Sequence, residues 1–127
     1  MKGKNSGITH VGLYTADLKG TIRFYEDAFG AVNLGVFDVP SPGCWLQLGE
    51  DDILEIFEIP ESGQGFFNHI AIGCEDVDAV YARALACGAK PDTEPQDICL
   101  PLNEDVPARM SFVTAPGGER IEIFHIK

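Results

Sequence analysis

Two histidines and two glutamates stand at matching places in this chain. Thr9-His10-Val11 opens one stretch and Asn68-His69-Ile70 opens a second, and an aspartate follows each histidine by seven residues, at Asp17 and Asp76. Leu54-Glu55-Ile56-Phe57 closes the first stretch and Ile121-Glu122-Ile123-Phe124 closes the second. Side chains alternate along a strand, so Glu55 shares a face with Ile53, Phe57 and Ile59, and Glu122 shares one with Phe124 and Ile126. An ionised carboxylate among such apolar neighbours is costly unless a cation or a metal compensates it. Two residues beyond the histidines stand Gly12 and Ala71, small enough to leave space above an imidazole. Two imidazole nitrogens and two carboxylate oxygens form a mixed set suited to a divalent Ni, Zn, Co, Mn or Fe ion, with positions left for water or substrate. A lone strand histidine or glutamate is ordinarily hydrogen-bonded or solvated. Four of them at matched repeat positions are not accounted for by packing, so His10, Glu55, His69 and Glu122 are the candidate metal ligands.

The elements that must position these residues follow the same repeat. Residues 8–14 read as a strand, and Asp17 is a good N-cap for a helix whose apolar face is Leu18, Ile22, Tyr25 and Phe29, ended by Gly30. Strands are expected near 34–39, 45–48 and 53–59, separated by Pro- and Gly-containing turns. In the second half, 67–73 reads as a strand, and Asp76 caps a helix with face Val77, Tyr81, Ala84 and Leu85, ended by Gly88. Residues 98–100, 110–114 and 120–126 are the remaining candidate strands. The plan is α+β: one domain over 1–127 built of two βαβββ modules, 7–60 and 66–127, joined by a linker at 61–65. Each half is marginal in size alone, so the halves are expected to share a core or to pair with those of a second chain.

Composition excludes several classes. Acidic residues outnumber basic ones 20 to 9, a formal charge of −11 that repels nucleic acid and anionic membranes. Arg109 is the basic residue to watch for substrate binding. The four cysteines show no CxxC spacing. The polar opening Met1-Lys2-Gly3-Lys4 and the lack of a membrane-length apolar run lead to the expectation of a cytoplasmic protein. His125 and Glu58 alternate away from Glu122 and Glu55. Trp45, Phe37 and Phe66 are candidates to line an apolar pocket, and no nucleotide or serine-hydrolase motif occurs.

The paired His-containing strands, Phe24-Tyr25 with Phe29-Gly30, and the closing Pro116-Gly117-Gly118-Glu119-Arg120-Ile121-Glu122 resemble the vicinal oxygen chelate superfamily over about residues 8–126. That group includes glyoxalase I, methylmalonyl-CoA epimerase, extradiol dioxygenases, and fosfomycin and bleomycin resistance proteins. The resemblance implies paired βαβββ modules forming half-open barrels of mainly antiparallel mixed sheet, with one divalent ion per site and a homodimer carrying sites at its interface. By ligands it is nearest to glyoxalase I, whose His/Glu/His/Glu set matches His10, Glu55, His69 and Glu122. It implies metal-assisted proton transfer through an enediolate, with Glu122 and Glu55 as acid–base groups. An epimerase of the methylmalonyl-CoA type and a non-catalytic bleomycin resistance-like binder are the alternatives. The glutathione contacts expected four residues after the first His and the first Glu are replaced by Tyr14 and Ile59. Tyr14, Trp45 and Arg109 are therefore the candidate contacts for a small-molecule substrate of another kind.

Overall fold

The computed structural model describes residues 10–39, 41–60 and 69–127. Thr9, Pro40, Phe66 and the 61–65 linker lie outside them. The chain divides into two compact units, Met1–Ser62 and Gly63–Lys127.

In the first unit the order is β1 (His10–Thr15), α1 (Leu18–Phe29), β2 (Val32–Phe37), β3 (Gly43–Gln47) and β4 (Ile53–Glu58). The strands form one open sheet ordered β1-β4-β3-β2, with β1 parallel to β4 and the other pairs antiparallel. Helix α1 begins where Asp17 accepts the Gly20 N–H at 3.0 Å and Glu58 Oε2, from the end of β4, accepts the Leu18 N–H at 2.8 Å. Two carboxylates thus satisfy donors that the first turn leaves without partners, where the helix dipole favours negative charge. The helix ends at Gly30 in the left-handed region (φ 70°). Its buried face is Leu18, Thr21, Phe24, Tyr25 and Ala28. Ile22 and Phe29, expected at its centre, lie half-buried at the margins. Thr21 takes a core place because its hydroxyl pairs with that of buried Thr15 at 2.8 Å, which a count of apolar spacings cannot register. The facing side of the sheet buries Leu13, Cys44, Leu46, Leu54 and Ile56.

The second unit repeats the plan with β5 (Ile70–Gly73), α2 (Val77–Ala86), β6 (Lys90–Pro101), β7 (Asp105–Thr114) and β8 (Arg120–Ile126), ordered β5-β8-β7-β6 with β5 parallel to β8. Asp76 caps α2 by accepting the Ala79 N–H at 3.0 Å. Val77 and Ala84 are buried on the helix, and Val113, Ile121 and Ile123 on the strands.

Strands β6 and β7 are longer than the 98–100 and 110–114 expected. Pro91, Pro95 and Pro101 argue against a strand from pattern alone. They are accommodated because β6 is an edge strand and its register shifts between Pro91 and Thr93 and between Thr93 and Gln96. Each half is therefore a four-stranded mixed sheet with one helix, an α+β arrangement of two βαβββ modules. Neither sheet is closed into a barrel. No helix among the described residues is long and apolar enough to cross a membrane.

Candidate functional site

On the face of the first sheet opposite α1, cross-strand pairing sets side chains in rows. Gly12, Glu55 and Trp45 are consecutive partners across β1, β4 and β3, and Tyr14, Phe57 and Gly43 form the next row. His10 lies two residues before Gly12 and reaches Glu55 diagonally, with its Nε2 3.5 Å from Glu55 Oε1. The Trp45 indole Nε1–H donates to Glu55 Oε2 at 2.7 Å, and the Trp45 and His10 rings stand 5.4 Å apart. Tyr14 is exposed on the same face, 6.3 Å from the Phe57 ring.

The second sheet repeats the diagonal. Ala71 is the partner of Glu122, His69 lies two residues before Ala71, and His69 Nε2 stands 3.1 Å from Glu122 Oε1. Phe112 takes the place that Trp45 holds in the first sheet, beside the glutamate, and its ring meets the His69 ring edge-on at 5.2 Å. Glu122 is the more enclosed carboxylate, its side chain 12% exposed against 22% for Glu55.

These distances suit a shared cation. Two ligand atoms held about 2.1 Å from one ion lie about 3.0 Å apart at a right angle and about 3.4 Å apart at the tetrahedral angle. The donor types, imidazole nitrogen and carboxylate oxygen, are those of a divalent transition-metal site. Each pair supplies two donors. Among the described residues, no three His, Cys, Asp or Glu side chains gather closely enough to hold an ion by themselves.

A model of the glyoxalase/bleomycin resistance protein/dioxygenase superfamily matches residues 7–123 of the chain. The chain belongs to this superfamily. Among solved structures it is similar to glyoxalase I from Zea mays (24% identity over 92% of this chain and 43% of that one, TM-score 0.74). It is similar as well to a possible glyoxalase from Bacillus cereus (24% identity, 94% and 98% coverage, TM-score 0.72). A glyoxalase family protein from Enterococcus faecalis is a third (21% identity, 94% and 97% coverage, TM-score 0.70). At these identities the likeness shows the fold. The chain spans 43% of the length of the maize protein.

Within this superfamily fold, Arg109 and Arg120 take opposite sides of the second sheet. Arg109, a candidate substrate contact, lies opposite His125 in the register, on the same side of β7 as Ser111 and Val113 and away from Glu122. Its guanidinium is held by Asp78 of α2 at 2.7 Å and 2.9 Å and by Asp97 of β6 at 3.2 Å. Arg109 keeps the Asp78 carboxyl below the usual carboxylate range, and Lys127 followed by Arg109 does the same for Asp97. In this place Arg109 ties the helix and the edge strand to the sheet.

Arg120 is the cation on the glutamate's face. It precedes Glu122 by two residues on β8, stacks its guanidinium 3.7 Å above the Phe112 ring centroid, and donates from Nε to Asp92 at 2.8 Å. The Arg120 hydrogen bond holds the Asp92 carboxyl low. Strand alternation alone, i and i+2 along β8, is the sequence signal that places Arg120 on the face of Glu122.

Proposed function

We propose that this chain is a divalent-metal-dependent enzyme of the glyoxalase I (lactoylglutathione lyase) type, moving a proton between adjacent carbons of a small carbonyl or thiol-adduct substrate. The observation that carries this reading is the His–Glu pair found at matching places in both units, at separations of 3.5 Å and 3.1 Å that suit two neighbouring ligands of one ion. In this proposal His10, Glu55, His69 and Glu122 hold the ion, two donors from each pair. When bound, such an ion would supply Lewis-acid stabilisation of negative charge developing on the substrate's oxygen.

The chain's own groups do the rest. Glu122, the cross-strand partner of Phe112 and the less exposed of the two carboxylates, takes a proton from one substrate carbon and returns it to the next, with Glu55 as the second carboxylate. Tyr14 and Trp45, on the exposed face beside His10, contact the substrate body. Tyr14 stands where glyoxalase I would place an arginine for glutathione, so a thiol adduct other than that of glutathione fits this surface better. A homodimer is proposed with this reading, and a monomer in sedimentation equilibrium would remove that part.

The test is to strip the protein, reload it with Ni, Co, Zn or Mn, and assay hemithioacetals of methylglyoxal with several thiols. Glu122→Gln is expected to lower turnover about a hundredfold or more. Turnover unaffected by Glu122→Gln would sink the assigned role.

A further inference from the structure

The two half-sites differ at one strand position. Trp45 and Phe112 are each the cross-strand partner of a glutamate, Glu55 and Glu122 respectively. Trp45 carries a donor and uses it: its indole N–H reaches Glu55 Oε2 at 2.7 Å while Glu55 Oε1 faces His10 at 3.5 Å. Both oxygens of Glu55 are engaged. Phe112 has no donor to offer. Glu122 Oε1 faces His69, and Glu122 Oε2 accepts no hydrogen bond among the described residues. Arg120, the nearest cation along β8, is turned onto the Phe112 ring and bound to Asp92.

We propose that Trp45 is a positioning residue that locks Glu55 in one orientation as a fixed ligand, and that Phe112 leaves Glu122 as the carboxylate able to swing. The proposal deepens the metal reading above and rests on it. A hydrogen bond to an ionised acceptor is short and strong, so it favours one orientation of the carboxylate over the others. Such restraint suits a group that must stay on an ion. It opposes one that must approach a substrate carbon and retreat, so the proton transfer falls to Glu122 alone and Glu55, the second carboxylate of the reading above, stays a ligand. The duplicated fold thus carries two copies of one ligand pair with different mobility, set by the presence of an indole in one and a phenyl ring in the other.

Trp45 is the only tryptophan of the chain, so its indole N–H gives a single resonance that reports on the lock directly. In the wild-type chain that resonance is expected to exchange slowly with solvent, and in Glu55→Ala to exchange fast. Partners that orient metal ligands typically contribute about 10- to 100-fold to metal affinity, so Trp45→Phe is expected to weaken Zn or Ni binding by that factor. Phe112→Trp, which places a donor beside Glu122, is expected to keep ion affinity and slow turnover about tenfold. An indole resonance with equal exchange rates in wild type and Glu55→Ala overturns the lock, even if Trp45→Phe fails to fold. Wild-type ion affinity in a folded Trp45→Phe overturns it as well. A wild-type chain that binds none of these ions overturns the underlying metal reading, whatever the indole resonance shows.

Discussion

Gly12 stands between His10 and Tyr14 on the exposed face of β1, directly across from Glu55. Its backbone does not require glycine, since the positive-φ glycines are Gly30, Gly35, Gly88 and Gly118. A Cβ added at Gly12 would lie 3.9 Å from Phe57 Cε2 and 4.0 Å from the Glu55 carbonyl oxygen, which is ordinary contact. Gly12→Ala is therefore expected to fold and to gain about 0.4–1 kcal/mol by restricting the unfolded chain. At about 2.1 cal/mol/K per residue, the 127 residues unfolding together carry about 0.27 kcal/mol/K. Tm should then rise by about 1 to 4 °C. Gly12→Leu adds bulk on the exposed side, beside the His10–Glu55 pair, and should stay folded. Its ion affinity and turnover should fall by about tenfold or more, since about 1.4 kcal/mol of displacement suffices for that.

Gly43 is the control. A Cβ there would meet the Ile56 carbonyl oxygen and Phe37 Cε1, each at 2.5 Å, so Gly43→Ala should cost about 1–3 kcal/mol and lower Tm by about 4 to 11 °C. Calorimetry and ion titration on the three variants read all of this. A Gly12→Leu chain that binds the ion and turns over like wild type would refute the placement of the site on this face. A Gly12→Ala chain as destabilised as Gly43→Ala would refute the geometry of β1 and β4.

Three further outcomes follow from the charges and thiols. Asp78, Asp92 and Asp97 are held low by their basic partners, so each adds stability above its ordinary value near 4, lost as pH falls through the depressed one. Thermal melts between about pH 5 and pH 2 should show that loss, and Asp92→Asn should flatten its share of it. Arg109→Gln should lower Tm slightly through Asp78 and Asp97, yet leave ion affinity and KM unchanged; a KM that rises several-fold would return Arg109 to the site. Burial, with Glu26 nearby, pushes the Cys44 thiol up to about 11, so Cys44 should resist a disulfide reagent at pH 8 until the protein unfolds, whereas exposed Cys99 should react at once.

Much of the architecture was legible because the repeat and the caps are local signals. Asp17 and Asp76 start helices, Gly30 ends one in the left-handed region, and the 120–126 strand reads directly from its alternation. Strand β6 was not legible beyond 98–100, because prolines that forbid a central strand are tolerated at an edge with register shifts. The histidines and glutamates were pointed to by duplication, but what touches them depends on cross-strand register. No spacing in the sequence shows that Trp45 falls beside Glu55, or that Arg109 turns towards Asp78 while Arg120 turns towards Phe112. Register is set by packing across strands distant in sequence, and only the folded sheet displays it.

In the proposed metal centre the two His–Glu pairs are halves of one ligand set. Equilibrium binding of Zn or Ni to the stripped protein tests it most directly, with His10→Ala and His69→Ala beside wild type. One ion is expected for each set of four donors, with affinity falling well beyond tenfold whichever histidine is removed, since loss of a ligand should exceed the about 10-fold cost of losing a supporting residue. Tight binding that survives removal of either histidine would contradict it.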